Sequence, residues 1–143
     1  MPRKEKEKGT PQEWLTFARS DLKLAKAGRV DGVLLSSLCF HSQQAAEKAI
    51  KAVLVLHRVD FPPTHNIKVL VDLLPDAAQV PETLRQAGIL TMYAVSTRYP
   101  GDLYHISKED YAEALSLAGT VVRWASAQVR KSAKSTATKG LFS

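Results

Sequence analysis

DGVLLSSLCFHSQQAAEKAIKAVLVLH, residues 31–57, is the stretch on which the fold turns. Leu35, Leu38, Cys39, Ala45, Ala46, Ala49, Ile50, Val53 and Leu54 recur at helical spacing and form a broad apolar face. At 1.5 Å per residue such a helix spans on the order of 40 Å, the length of a central bundle helix. It begins near Asp31, ends about His57, and Pro62-Pro63 then break the chain.

Working outward, proline and glycine divide the rest into further helices. Pro11 suits the first turn of a helix running to about Ala27 and closed by Gly28, with Trp14, Phe17, Ala18, Leu22 and Ala25 as its apolar stripe. Beyond the central helix, Asn66 caps a short helix containing Ile67, Leu70, Val71 and Leu74 that stops at Pro75. Pro81 opens a fourth, containing Leu84, Ala87, Leu90, Ala94 and Val95, which ends at Arg98-Tyr-Pro-Gly-Asp102. Ser107 and Asp110 form a capping-box-like start for the last helix. Its core series is Tyr111, Ala114, Leu115, Ala118, Val121, Val122 and Ala125. No segment alternates as a strand does. The expected fold is all-α: an antiparallel four-helix bundle with an additional short helix. The helical domain covers residues 11–130, and residues 1–10 and 131–143 read as flexible charged tails that fray.

A chain of 143 residues suits one domain. Its single cysteine, Cys39, excludes an internal disulfide and fits a reducing compartment. No apolar run reaches the ~18 residues of a membrane span, and the mixed-charge N-terminus does not read as a signal peptide, so a cytoplasmic location is expected. The net charge of +6 lies at the ends: residues 123–143 contribute +5 and residues 1–8 contribute +2, leaving −1 for 9–122. A basic terminal segment of this kind reads as a solvated extension, or as a source of salt-sensitive attraction to RNA.

Several polar residues fall on or beside apolar stripes. Asp21, on the inner face of the first helix, reads either as an acid satisfied by a neighbouring helix or as a carboxylate that orients a base. His41, Gln44, Lys48 and Lys51 share one face of the central helix. His41 and Lys48 border its apolar stripe and read either as candidates for phosphate contact or as part of the ordinary wet face, whereas Lys51 reads as part of the wet face, with Glu47 beside it. Arg98, in a loop of turn formers, is followed by His105 with six residues between them. Such a pair suits metal-independent action on RNA: histidine moves a proton while guanidinium stabilises phosphate charge. The alternative is that Arg98 pairs with Asp102 or Asp21 and fixes the loop. There is no P-loop, no G-x-G-x-x-G, no G-x-S-x-G and no H-E-x-x-H, and four scattered histidines with one cysteine make no zinc framework. Neither a cofactor nor a metal is expected.

Taken together, Trp14-x3-Ala18-x2-Asp21-Leu22-x2-Ala25, Cys39-Phe-His-Ser-Gln-Gln-Ala-Ala-Glu-Lys48-Ala-Ile-Lys51, His65-Asn66-Ile67 with Leu70, and Tyr93 through Thr97-Arg-Tyr-Pro-Gly-Asp102 resemble the HEPN-domain family over about residues 11–127. The resemblance implies a helical bundle that commonly dimerises. It also implies pairing with a minimal nucleotidyltransferase, in some cases as one half of a toxin–antitoxin system, and binding of nucleotide or RNA. On that footing His41, Lys48 and Arg98 are the candidate phosphate-binding residues, and Asp21 and Asp102 the orienting acids. Ribonuclease members use an arginine and a histidine with four to six residues between them, which makes Arg98 and His105 the candidate catalytic pair. A non-catalytic oligomeric scaffold is the third reading.

Overall fold

The computed structural model describes residues 9–27, 31–95 and 105–142, with side chains described as far as Ala94 in the second stretch and Lys134 in the third. Helix α1 is Pro11–Lys26. Thr10 and Glu13 close its capping box, the Thr10 hydroxyl accepting from the Glu13 amide at 3.1 Å and the Glu13 carboxylate accepting from the Thr10 amide at 3.3 Å. Its buried residues are Leu15, Ala18, Asp21, Leu22 and Ala25. The stripe expected from sequence contained Phe17, which instead is 60% exposed. Leu15, Ala18, Leu22 and Ala25 recur at steps of three and four residues, and Phe17 lies about 200° around the helix from Leu15, off that row.

Helix α2, Leu35–Leu56, is the centre of the molecule and packs against both α1 and the last helix. It begins four residues later than the sequence pattern suggests. Gly32 has φ +86°, a conformation that glycine tolerates and a right-handed helix does not contain, and residues 31–34 form a turn and an extended lead-in. The helix ends at His57, after which Arg58 takes φ +57°. Ile50, Val53 and Leu54 are fully buried.

Asn66 caps α3, Ile67–Asp72, its side chain accepting from the Val69 amide at 3.2 Å. The fourth helix expected from Pro81 onward is three short pieces: α4 at Glu82–Gln86, a 3-10 segment at Ala87–Thr91, and α5 at Met92–Val95. The tighter middle turn contains Gly88, a weak helix former, and the Thr91 hydroxyl accepts from the Ile67 amide at 3.0 Å, tying the segment to the start of α3. Leu84, Ala87, Leu90, Tyr93 and Ala94 nevertheless keep one buried face, so the broken segment fills the fourth position of the bundle.

Helix α6 is Lys108–Phe142, opened by a reciprocal Ser107–Asp110 capping box with both bonds at 3.0 Å. Ala114, Ala118, Val121, Val122, Ala125 and Val129 are buried. Its backbone stays helical past Arg130, where the composition suggests fraying. The Tyr111 hydroxyl donates to the Ala25 carbonyl and Arg19 donates to Ser126, so α1 runs antiparallel to α6, as it does to α2. Among the described residues the architecture is all-α.

Candidate functional site

Asp21 faces α2 from the third turn of α1, and its carboxylate engages two side chains one helix away. His41 Nδ1 lies 3.0 Å from Oδ1 and Lys48 Nζ donates to Oδ2 at 2.6 Å. His41 and Lys48 are seven residues apart, two turns on one face of α2, so one carboxylate between them reaches both. The Asp21 side chain is 12% exposed, whereas His41 and Lys48 are 32% and 26% exposed. The acid is therefore inside and the two basic groups lie at the rim. The Lys48 ammonium also sits 5.9 Å from the centre of the Phe17 ring, and Phe40 meets the His41 ring edge-on at 5.6 Å.

The chemistry of this cluster follows from its charge balance. With a neutral imidazole, Lys48 and Asp21 cancel; with an imidazolium the cluster carries +1. Asp21 holds Nδ1 of His41, and Nε2 is the ring nitrogen left for an outside group. Lys48 is fixed in place, but its charge is already countered by a short charge-assisted bond. A phosphate bound here calls for a further cation. Arg98 and Asp102, the loop residues assigned that neighbourhood, lie outside the described residues. The segment leading to them does not: α5 packs against α2. His105 is exposed, next to the buried Ile106 and ahead of α6.

A second polar cluster on α2 was not singled out by the sequence pattern. Glu47 is 4% exposed and accepts from Lys51 Nζ at 2.9 Å, Gln43 Nε2 at 2.9 Å and His65 Nδ1 at 2.8 Å. Lys51, expected on the wet face, is instead buried: its ammonium lies 5.6 Å from the Trp14 ring and 5.4 Å from the Phe61 ring. The loop after Pro62-Pro63 folds back so that His65 reaches Glu47 and Phe61 meets Trp14 edge-on. The available signal was Glu47 between Ala45, Ala46 and Ala49, with Lys51 one turn on. No spacing rule connects it to His65 or Trp14. Because every charge in this cluster is paired, it pins the 57–66 connection to α2.

Cys39 is buried in α2. Burial, and then the Asp110 carboxylate, push its thiol from an ordinary 9.0 up to about 11, so it is an inert core residue. Among the described residues no cluster of His, Cys, Asp and Glu is arranged to hold a metal ion, and no helix is long and apolar enough to cross a membrane.

A HEPN domain family model matches residues 11–129, a span that contains both polar clusters. The crystal structure of TT1696 from Thermus thermophilus is similar with a TM-score of 0.69 and 30% identity, over 82% of this chain and 97% of that one. The crystal structure of ST0689, an archaeal HEPN homologue, is similar with a TM-score of 0.65 and 26% identity, over 85% and 98%. Comparison with curated proteins found no match. The helical architecture, the family match over most of the sequence and these two relatives lead to one conclusion: the chain belongs to the HEPN domain family.

Proposed function

We propose that the domain spanning residues 11–130 is a cytoplasmic nucleotide- or RNA-phosphate-binding module that works as a homodimer with a minimal nucleotidyltransferase, as part of a toxin–antitoxin pair. The observation that carries the binding part is the Asp21–His41–Lys48 cluster: a buried carboxylate presents an imidazole and an ammonium at the rim of the α1–α2 face. Fixing two side chains before a ligand arrives lowers the ordering cost of binding. Arg98 supplies the uncompensated charge in this reading, because Lys48 alone is offset by Asp21. The pairing with a transferase rests on family membership.

Calorimetric titration with ATP tests the ligand part. Wild-type protein binds, while Lys48→Ala and Arg98→Ala each weaken binding about tenfold or more, the scale of one charge-assisted hydrogen bond. Absence of binding by the protein alone and by its complex with a co-purified nucleotidyltransferase defeats the reading.

A metal-independent endoribonuclease is the second reading, and the exposure of His105 is what favours it, since a proton-transfer group has to reach substrate. It requires RNA cleavage in EDTA that is lost in both Arg98→Ala and His105→Ala. Cleavage surviving both changes removes that pair from the chemistry.

A further inference from the structure

A second cationic surface lies on the opposite side of α1 from Asp21. Two residues turn a helix by about 200°, so Arg19 and, one turn later, Lys23 point away from the Asp21 cluster. Arg19 crosses to α6, where its guanidinium donates to Ser126 Oγ at 3.0 Å. Ser126 stands between Arg123 and Arg130, three residues after the first and four before the second. Lys134 follows one turn further on. Arg123, Arg130 and Lys134, at i, i+7 and i+11, fall within about 40° of one another around the helix, in a row about 16 Å long. All three are exposed, as are Arg19, Lys23 and Lys131 beside them. A shallow open depression lined by Thr16, Arg19, Ser20, Lys23 and Leu24 adjoins the row on the α1 side.

What separates this surface from ordinary solvated lysines is how its charges are held. Arg19 is fixed by the Ser126 hydroxyl and Arg123 by the Thr120 hydroxyl at 3.3 Å, so both guanidiniums are oriented without being neutralised. None of the six cations has a carboxylate partner among the described residues. The sequence contains no acid after Glu113, ten residues or about 15 Å before Arg123 along α6. Of the two acids on α1, Asp21 faces α2 and Glu13 is engaged by its capping box. By contrast, the cations that border α2 are countered by Asp21 and Glu47. Six cations with no carboxylate partner among the described residues therefore gather on the α1–α6 face.

We propose that this face, built from Arg19, Lys23, Arg123, Arg130, Lys131 and Lys134, is a track for the phosphate backbone of RNA, separate from the Asp21 cluster. An RNA strand carries one phosphate per nucleotide, so a row of this length meets several in succession. Among the described residues no exposed aromatic ring lies on the track, so it offers no platform for stacking bases and reads charge without sequence. Its position on the far side of α1 leaves the Asp21 cluster free to take a nucleotide or an RNA end at the same time.

The test is fluorescence anisotropy of full-length protein with a labelled 20-nucleotide uridine RNA between 50 and 200 mM KCl. Four phosphate contacts give a log–log salt slope of about −3 for a single strand, and replacing three cations takes it towards about −1. Arg19→Gln/Arg123→Gln/Arg130→Gln is expected to lose at least about tenfold in affinity at the lowest salt. Glutamine is a good helix former at these exposed sites, and an unchanged melting temperature confirms the variant is folded. The same variant is titrated with ATP, which separates this track from the Asp21 cluster: RNA binding falls while the response to ATP does not. The proposal is overturned if wild-type protein shows no salt-dependent RNA binding or if the triple variant binds like wild type. It is also overturned if anionic lipid vesicles bind this face and RNA does not displace them.

Discussion

Replacing Glu47 by alanine removes the acceptor of a buried cluster while leaving its strongest donor in place. In the native protein the Glu47 and Lys51 side chains are 4% and 10% exposed, and the ion pair between them is 2.9 Å long. Trp14 and Phe61 close over the ammonium, so Lys51 has no easy path to water once its partner is gone. Breaking a buried pair by removing one partner costs about 3–5 kcal/mol, because the surviving charge keeps its desolvation penalty and loses its compensation. The two cation–π contacts are present before and after the change and do not enter the difference, so the expected loss is about 3 kcal/mol, the lower end of that range. His65 loses its acceptor as well, but at 58% exposed it rehydrates at little cost. The assay is urea unfolding followed by circular dichroism, with a double-mutant cycle of Glu47→Ala, Lys51→Met and the pair. Glu47→Ala alone is expected to lower the unfolding free energy by about 3 kcal/mol, and the double variant to recover at least about 1 kcal/mol of it, since no buried charge then remains. A loss under about 1 kcal/mol for Glu47→Ala, or strict additivity in the cycle, would refute the claim that an uncompensated ammonium is what makes this position sensitive.

Three further outcomes follow from the same reasoning. Asp21→Asn is expected to cost only about 1–2 kcal/mol, because His41 and Lys48 sit at the rim and turn to water, and a loss as large as that of Glu47→Ala in parallel urea curves would contradict it. Among the described residues the hydroxyl of the fully buried Ser42 has no hydrogen-bond partner, so Ser42→Ala should raise stability by about 1 kcal/mol, and a lower urea midpoint would count against it. Cys39 is raised to about 11 in the folded chain, so the unfolded chain loses its thiol proton first; stability present below pH 9 is lost as pH rises towards 11, by up to about 2–3 kcal/mol from this group. Wild type should therefore lose more stability over that window than Cys39→Ala, and equal slopes would show that the thiol is not responsible.

What the sequence determined by itself is mostly local. Helical periodicity over residues 31–57, Pro11 in a first turn, the Asn66 and Ser107 caps, and the breaks at Pro62-Pro63 and Pro75 depend on contacts within a few residues, and they were legible as all-α bundle signals. Asp21, His41 and Lys48 could each be marked as polar groups beside an apolar stripe, because a stripe is a property of one helix. That a single carboxylate joins them was decided by the antiparallel packing of α1 on α2, a relation between residues 20 and 27 positions apart. Lys51 went the other way. Its local spacing describes a wet face, and only the return of Phe61 and His65 over α2, together with Trp14 from α1, turns that face into an interior. The α1–α6 cationic track has the same origin: Arg19 and Ser126 are 107 residues apart, and charge counting along the chain assigns the basicity to an end. Helix formation is governed by neighbours in the chain, whereas burial and charge compensation are governed by neighbours in space, and for this protein the second set became visible only when the helices were packed.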